Sequence, residues 1–443
     1  MNAGESQIVQ DEMPRLGNLS PGAIRKPEPP DRGGRSVFRS LTGKTLCQTQ
    51  GGRYESRPRQ FTPLYNFSPF LTRHMKFRIS KEKFLEGLQQ VQGVVSSRAT
   101  LPILSNVLLE VEGGELRMTT TDLDVVVSGK VAVDEVDDSG STTLPVRKLS
   151  TIVRELPASE IAIDVSDENA ASMRCGNSFF KILGLPADDF PPPPKFDDVK
   201  EFKISAQTLR DGLKKVAYAI STDETRYVLN GVFCQFKDGK LTLVATDGRR
   251  LAMTDSDIEI PESMETSVIV PTKAVNELQR LLKEGGDKAE VRIRIGAKQI
   301  AFEMNNNLLV SKLIEGNYPN FRQVIPGAAK HRVTLERESF LSAVQRVSIL
   351  AQEKSNSVKI SFTTDGIEIT ANSADIGEAR ESMAVKYNGP DMAIAFNPEY
   401  LMAPFRNLDS DEVHLDLIDE VSPGVVRINT PFLYVLMPMR VSQ

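Results

Sequence analysis

The 443-residue chain carries 54 Lys or Arg against 59 Asp or Glu, with 40% apolar and 26% charged residues, the balance of a globular protein long enough for about three domains. No apolar run approaches the roughly 18 residues that span a bilayer. Cys47, Cys175 and Cys234 are unclustered and His74, His331 and His414 lie far apart, which argues against a disulfide framework, a thiolate metal site and a histidine-dependent nucleophile.

Residues 1–74 are rich in Pro, Gly, Arg and Ser without sustained periodicity, and hold 11 Lys or Arg against 6 Asp or Glu. Three readings fit this extension: a misassigned upstream start, a disordered tail, or a transit peptide, the acidic residues counting against the last. Met75-Lys-Phe-Arg-Ile79 reads as a natural start. From Met75 onward the balance is 43 basic against 53 acidic residues.

The body repeats three times at an offset of about 125 residues, a domain-sized period far too long for a solenoid. Amphipathic segments Lys81 to Val95, Ala206 to Ile220 and Arg337 to Ala351 predict a first helix in each copy. Strand pairs follow, turning at Gly113-Gly114, Asp238-Gly239 and Asp365-Gly366, residue pairs that favour tight hairpins. The post-strand element recurs as Thr120-Thr-Asp122, Ala245-Thr-Asp247 and Ala371-Asn-Ser373. A second helix opens near Pro145, Pro271 and Pro398, since the first turn of a helix has no use for the missing N–H. Closing strands at Ser178, Leu308 and Phe432 complete the copies. The expected divisions are 1–74 (extension), 75–196, 197–326 and 327–443, with Pro191-Pro-Pro-Pro-Lys195 a stiff connector and Gly327-Ala-Ala-Lys330 a short one. Each copy reads as α+β, two helices on one face of antiparallel sheet.

No Walker-type loop, dinucleotide-binding glycine pattern, H-E-x-x-H or G-x-S-x-G occurs. Asp122 and Asp247 occupy equivalent positions, but the third copy has Ser373 there, so a turn-stabilising Asx role is favoured over acid–base work. No cofactor site and no enzymatic activity are expected. The alternative of an enzyme with an unrecognised carboxylate site predicts a turnover lost on Asp247→Ala. Charge is distributed unevenly. The helical segments carry a surplus of about +7 while the rest of the body carries about −17. Ordinary solvated helix faces would explain this; so would a helical surface facing nucleic acid on a body that otherwise repels it.

Six stretches carry a specific resemblance: Thr100-Leu-Pro-Ile-Leu-Ser-Asn106, Arg226-Tyr-Val-Leu-Asn-Gly231, Val244-Ala-Thr-Asp-Gly-Arg-Arg-Leu251, Val268-Ile-Val-Pro-Thr-Lys273, Tyr318-Pro-Asn-Phe-Arg-Gln-Val324 and Val435-Leu-Met-Pro-Met-Arg440. Over residues 75–440 the chain resembles the beta subunit of bacterial DNA polymerase III, the replicative sliding clamp. The resemblance implies three tandem DNA-clamp domains per chain, each with two helices on antiparallel sheets, dimerising head to tail into a six-domain ring with helices inside. It implies a non-enzymatic processivity factor in the cytoplasm, without a membrane association. The implied partners are double-stranded DNA, a second copy of the chain, the polymerase III catalytic subunit, a clamp loader complex, and other DNA polymerases and repair proteins bearing clamp-binding motifs.

The resemblance also places residues. A linear-motif pocket between domains two and three would use Leu229, Thr246, Gly248, Arg250, Leu251, Pro319, Val324, Asn397, Tyr400, Val421, Val435, Met437, Pro438 and Met439. DNA would meet Arg98, Arg147, Lys148, Arg226, Tyr227, Lys273 and Lys354. Phe180 and Ile182 would meet Ile349 and Leu350 of a partner copy. Arg249, Gln323 and Thr272 depart from the family pattern, the first two at the pocket rim and the third on the DNA side, which leaves room for a paralogue with altered partner preference.

Overall fold

The computed structural model describes residues 74–96, 101–194, 196, 199–287, 289–351, 356–373 and 375–440, all within the unit Pro63–Gln443. Residues 1–73 of the extension, Arg98 and Lys354 lie outside the described residues. The first repeat contains β1 (Met75–Ser80), α1 (Lys81–Val91), β2 (Asn106–Glu112), β3 (Glu115–Thr121), β4 (Val125–Ala132), β5 (Glu135–Asp138), β6 (Gly140–Pro145), α2 (Val146–Glu155), β7 (Glu160–Val165), β8 (Ala170–Cys175) and β9 (Ser178–Leu183). The second contains β10 (Lys200–Ser205), α3 (Ala206–Val216), β11 (Gly231–Lys237), β12 (Lys240–Thr246), β13 (Arg250–Asp257), β14 (Thr266–Pro271), α4 (Thr272–Glu284), β15 (Glu290–Ile295), β16 (Gln299–Met304) and β17 (Asn307–Lys312). The third contains β18 (His331–Glu336), α5 (Arg337–Ser348), β19 (Val358–Thr363), β20 (Gly366–Ser373), β21 (Gly377–Met383), β22 (Met392–Phe396), α6 (Pro398–Asn407), β23 (Glu412–Leu417), β24 (Gly424–Arg427) and β25 (Phe432–Leu436).

Each repeat contributes strands to two antiparallel sheets, and its helix pair packs against both. In α2 the cause is plain from spacing. Val146, Leu149 and Val153 are buried on one face, while Arg147, Lys148 and Arg154 point outward. In α4 the buried apolar set is Ala274, Val275, Leu278, Leu281 and Leu282. The sheets do not stop at the repeat boundaries. β17 pairs antiparallel with β4, from Asn307↔Gly129 to Ser311↔Val125. β25 pairs in the same way with β13, from Leu436↔Arg250 to Phe432↔Thr254. Two eight-stranded sheets therefore run across the two junctions, and satisfy backbone groups that an open sheet edge would leave unpaired.

The first two hairpins turn where expected. Gly113 and Gly114 have φ of 59° and 84°, and Asp238 and Gly239 have 53° and 71°, the two positive values of a type I′ turn. In the third, Thr363 pairs with Gly366. The loop is thus Thr364-Asp365, and Gly366 is already the first residue of β20. Its role is steric: a Cβ there would lie 2.5 Å from the Met383 carbonyl oxygen.

Candidate functional site

The β13–β25 seam and the turn before it organise the second junction. Thr246 Oγ1 donates to the Arg250 carbonyl (2.6 Å) and accepts from Gly248 N (3.1 Å). Asp247 Oδ1 accepts from the backbone N–H groups of Arg249 (2.9 Å) and Arg250 (3.0 Å), while Oδ2 accepts from Arg250 Nε at 3.0 Å. This is an Asx turn, and the Asp247 carboxylate is fully engaged in it. Asp122 makes the same turn in the first repeat, accepting from Asp124 N (3.1 Å) and Val125 N (2.7 Å). Gly248 has φ of 85°, and a Cβ on it would come within 2.7 Å of Arg226 Nη1.

The turn aims Arg250 across the junction. Its guanidinium lies 4.4 Å from the centroid of the Tyr400 ring, a cation–π contact shielded from bulk water. Tyr400 is itself fixed by an exception in α6. Pro404 sits inside that helix and has no N–H to offer the carbonyl four residues back, which belongs to Tyr400. The hydroxyl of fully buried Tyr434, on β25, donates to that carbonyl at 2.6 Å. Burial holds the Tyr434 phenol well above its ordinary value. Asn397 caps the same helix by accepting from Glu399 N and Tyr400 N.

Beside the Thr246–Arg250 turn lies a separate apolar cluster of Val244, Leu251, Phe321, Val425, Leu433 and Val435, flanked by Phe233, Met253, Tyr318 and Ile325. Phe233 stacks on Tyr318 with centroids 4.8 Å apart. Among the expected pocket residues, Leu229, Thr246, Leu251 and Val435 are buried; Arg250, Asn397, Tyr400, Pro438 and Met439 are half-buried; Gly248, Pro319, Val324, Val421 and Met437 are exposed. Met437 N donates to the Arg249 carbonyl and Met439 N to the Ala395 carbonyl, so the Met-Pro-Met segment crosses from one repeat to the other. Sequence reading missed Phe233, Val244 and Val425. The available signal was Val244, an apolar residue at an outward position of a strand whose inward face already carries Leu241 and Leu243.

The residues expected to face DNA fall in different places. Arg147 and Lys148 are exposed on α2, with Arg147 Nη2 donating to the Val95 carbonyl at 2.8 Å. Tyr227 is 59% exposed. Arg226 is exposed too, yet it donates to the Asp247 carbonyl (3.2 Å) and pairs with Asp223 at 3.1 Å, which joins it to the Thr246–Arg250 turn. Lys273 crosses the first junction, bonding the Val94 carbonyl at 2.9 Å and the Asp122 carboxylate. Lys312 pairs with Asp124 at the same junction, at 2.9 Å. Phe180 is 37% and Ile349 76% exposed, and Ile182 and Leu350 are half-buried. The six helices carry 14 Lys or Arg against 8 Asp or Glu, and the rest of residues 75–443 carries 29 against 45. Among the described residues no group of three or more His, Cys, Asp or Glu is placed to hold a metal, and no helix is long and apolar enough to cross a membrane.

Models of the DNA polymerase III beta subunit match in chain order: the N-terminal domain over residues 75–194, the central domain over 203–320 and the C-terminal domain over 322–440. The chain belongs to the beta sliding clamp family. A Chlamydia muridarum beta sliding clamp is 35% identical over 83% of this chain and 99% of its own length. The Pseudomonas aeruginosa beta sliding clamp is 37% identical over 83% of this chain and all of its own. In three dimensions the chain resembles a Pseudomonas aeruginosa sliding clamp bound to griselimycin (36% identity, TM-score 0.80) and the Bacillus subtilis DNA polymerase sliding clamp (30% identity, TM-score 0.79), in each case over 83% of this chain and 100% of the other. The chain is a DNA polymerase processivity clamp acting in DNA replication, built from three tandem clamp domains.

Proposed function

We propose that two copies of this clamp close head to tail into a six-domain ring around duplex DNA, and that partners are tethered through the cleft at the second domain junction. The supporting observation is the repetition of one edge contact. The last strand of the second repeat pairs with the fourth strand of the first, and the last strand of the third pairs with the equivalent strand of the second. Two members of the series remain without that contact in the described chain: β9 and β21, each at the end of its sheet. A second copy supplies both, β21 of one chain meeting β9 of the other, and a head-to-tail contact of this kind closes into a ring when the rotation fits. Exposed apolar side chains mark these two ends, Phe179, Phe180 and Leu183 on one and Ile349 and Ile376 on the other.

Encirclement accounts for the charge division. A ring held by topology has no need of strong phosphate contacts, whose counterion release would otherwise dominate affinity. Positive helices and an acidic remainder suit a clamp that slides without reading sequence. Arg147, Lys148, Arg226, Tyr227, Lys273 and, outside the described residues, Arg98 and Lys354 are the DNA-facing set. The cleft, with an apolar floor, a methionine wall and a fixed Arg250–Tyr400 pair, suits short apolar segments of several partners, including the polymerase III catalytic subunit, a loader that opens the ring, and repair proteins. Light scattering at micromolar concentration should give twice the chain mass, and loaded clamp should stay on nicked circular DNA and run off the same DNA once linearised. A monomer throughout that range, or equal loss from both DNAs, would refute encirclement.

A further inference from the structure

Beside the cleft, a cavity of about 340 Å³ opens between the connector around Pro326–Lys330 and the outer face of β18, β23 and β24. Its base is Asp416, 5% exposed, which accepts from Arg332 Nε (2.6 Å) and Nη2 (2.8 Å) and lies 3.3 Å from Arg427 Nε. Two guanidiniums on one carboxylate leave an uncompensated positive charge, and Lys330 stands on the rim beside them. The Asp419 carboxylate accepts through Oδ1 from the backbone N–H groups of Val421 and Ser422 and lies within electrostatic reach of Lys330, which it partly offsets. The side chains of Arg332 and Arg427 remain 54% and 37% exposed, so both have donor edges free of Asp416.

Three points make this cavity continuous with the cleft. Val425 lines the cavity and also belongs to the apolar cluster with Leu251 and Val435. Pro326 lies two residues beyond the cleft residue Val324, and Pro423 two residues beyond Val421. A chain leaving the cleft over either residue enters a basic chamber. We propose that this chamber is an acidic subsite, taking the carboxylates that flank the apolar segment a partner lays into the cleft. The occupant is a peptide and not a nucleic acid, because the non-helical part of the clamp is strongly acidic and repels phosphate backbones. The proposal rests on the cleft reading above.

The test uses the full chain and two labelled dodecapeptides with the same Leu/Phe core, one flanked on both sides by Asp and one by Asn. Fluorescence anisotropy should show tighter binding of the Asp peptide. Lys330→Gln and Arg427→Gln should each weaken it by about threefold to fivefold at low salt, as a partly exposed charge contact would, and leave the Asn peptide unchanged. The difference should shrink at high salt. Lys330 makes no contact with Asp416, so its variant reports on the subsite without disturbing that buried carboxylate. Equal affinity for the two peptides would overturn the subsite and leave the cleft intact. Failure of both to bind would remove the cleft reading and the subsite with it. Displacement by inorganic phosphate beyond that of chloride at equal ionic strength would identify a free-anion site and also overturn the proposal.

Discussion

Replacing Tyr434 by Phe deletes one oxygen and tests how the cleft is held. Tyr434 is fully buried, and its hydroxyl is the 2.6 Å donor to the Tyr400 carbonyl that Pro404 cannot serve. Removing the hydroxyl leaves a shielded carbonyl without a donor, at a cost of about 1–3 kcal/mol. Pro404→Ala would restore a backbone N–H four residues along the helix from Tyr400, so the carbonyl would regain a partner. In that background Tyr434→Phe should cost less, by a coupling of about 1 kcal/mol. Urea denaturation of the wild type, the two single variants and the double variant measures the cycle. A Tyr434→Phe cost that is unchanged by Pro404→Ala would refute the claim that the hydroxyl substitutes for the missing N–H.

Other outcomes follow from geometry already described. Ile349 is 76% exposed; burying it in a dimer junction contributes about 2 kcal/mol, and a closed ring has two such junctions. Ile349→Asp should therefore raise the dimer dissociation constant by about a thousandfold in sedimentation velocity with monomer unfolding unchanged, and a dimer as tight as wild type would exclude this edge. Gly248→Ala places a side chain at φ of 85° against Arg226, and should lower stability by about 1–2 kcal/mol and weaken peptide binding; a neutral substitution would show the turn to be pliable. Burial raises the phenols of Tyr218, Tyr318 and Tyr434 above their ordinary value, whereas the unfolded chain releases those protons near pH 10. Their contribution is complete below about pH 10 and is lost as pH rises further, so the urea midpoint should fall between pH 10 and pH 11; an unchanged midpoint would contradict their burial.

The repeat was legible because turn chemistry is local. Gly113-Gly114 and Asp238-Gly239 hold positive φ, Asp122 and Asp247 bond their own backbone, and Pro145, Pro271 and Pro398 mark helix starts. Gly366 shows the limit of such reading. It is a glycine for lack of space beside Met383, and the turn it seemed to mark lies one residue earlier. Seams between repeats were illegible from periodicity, since β4 and β17 meet across about 180 residues of sequence and neither strand carries a mark of its partner. Lys273 and Arg226 show why site roles were harder still. Both read as DNA-facing, and both are also held by acceptors that only the folded junctions bring near, Asp122 for one and the Asp247 carbonyl for the other.

The shared seam geometry has a kinetic meaning. Inside one chain, β17 meets β4 and β25 meets β13 at an effective concentration set by covalent connection, so a parted seam recloses at once. A seam between two chains has no such tether. In the proposed ring, where each junction would repeat nearly the same contact, connectivity would place the weakest points at β9 against β21. The time such a ring spends on DNA would then be set by the first of those two seams to part, and an opener would need to hold only one of them apart.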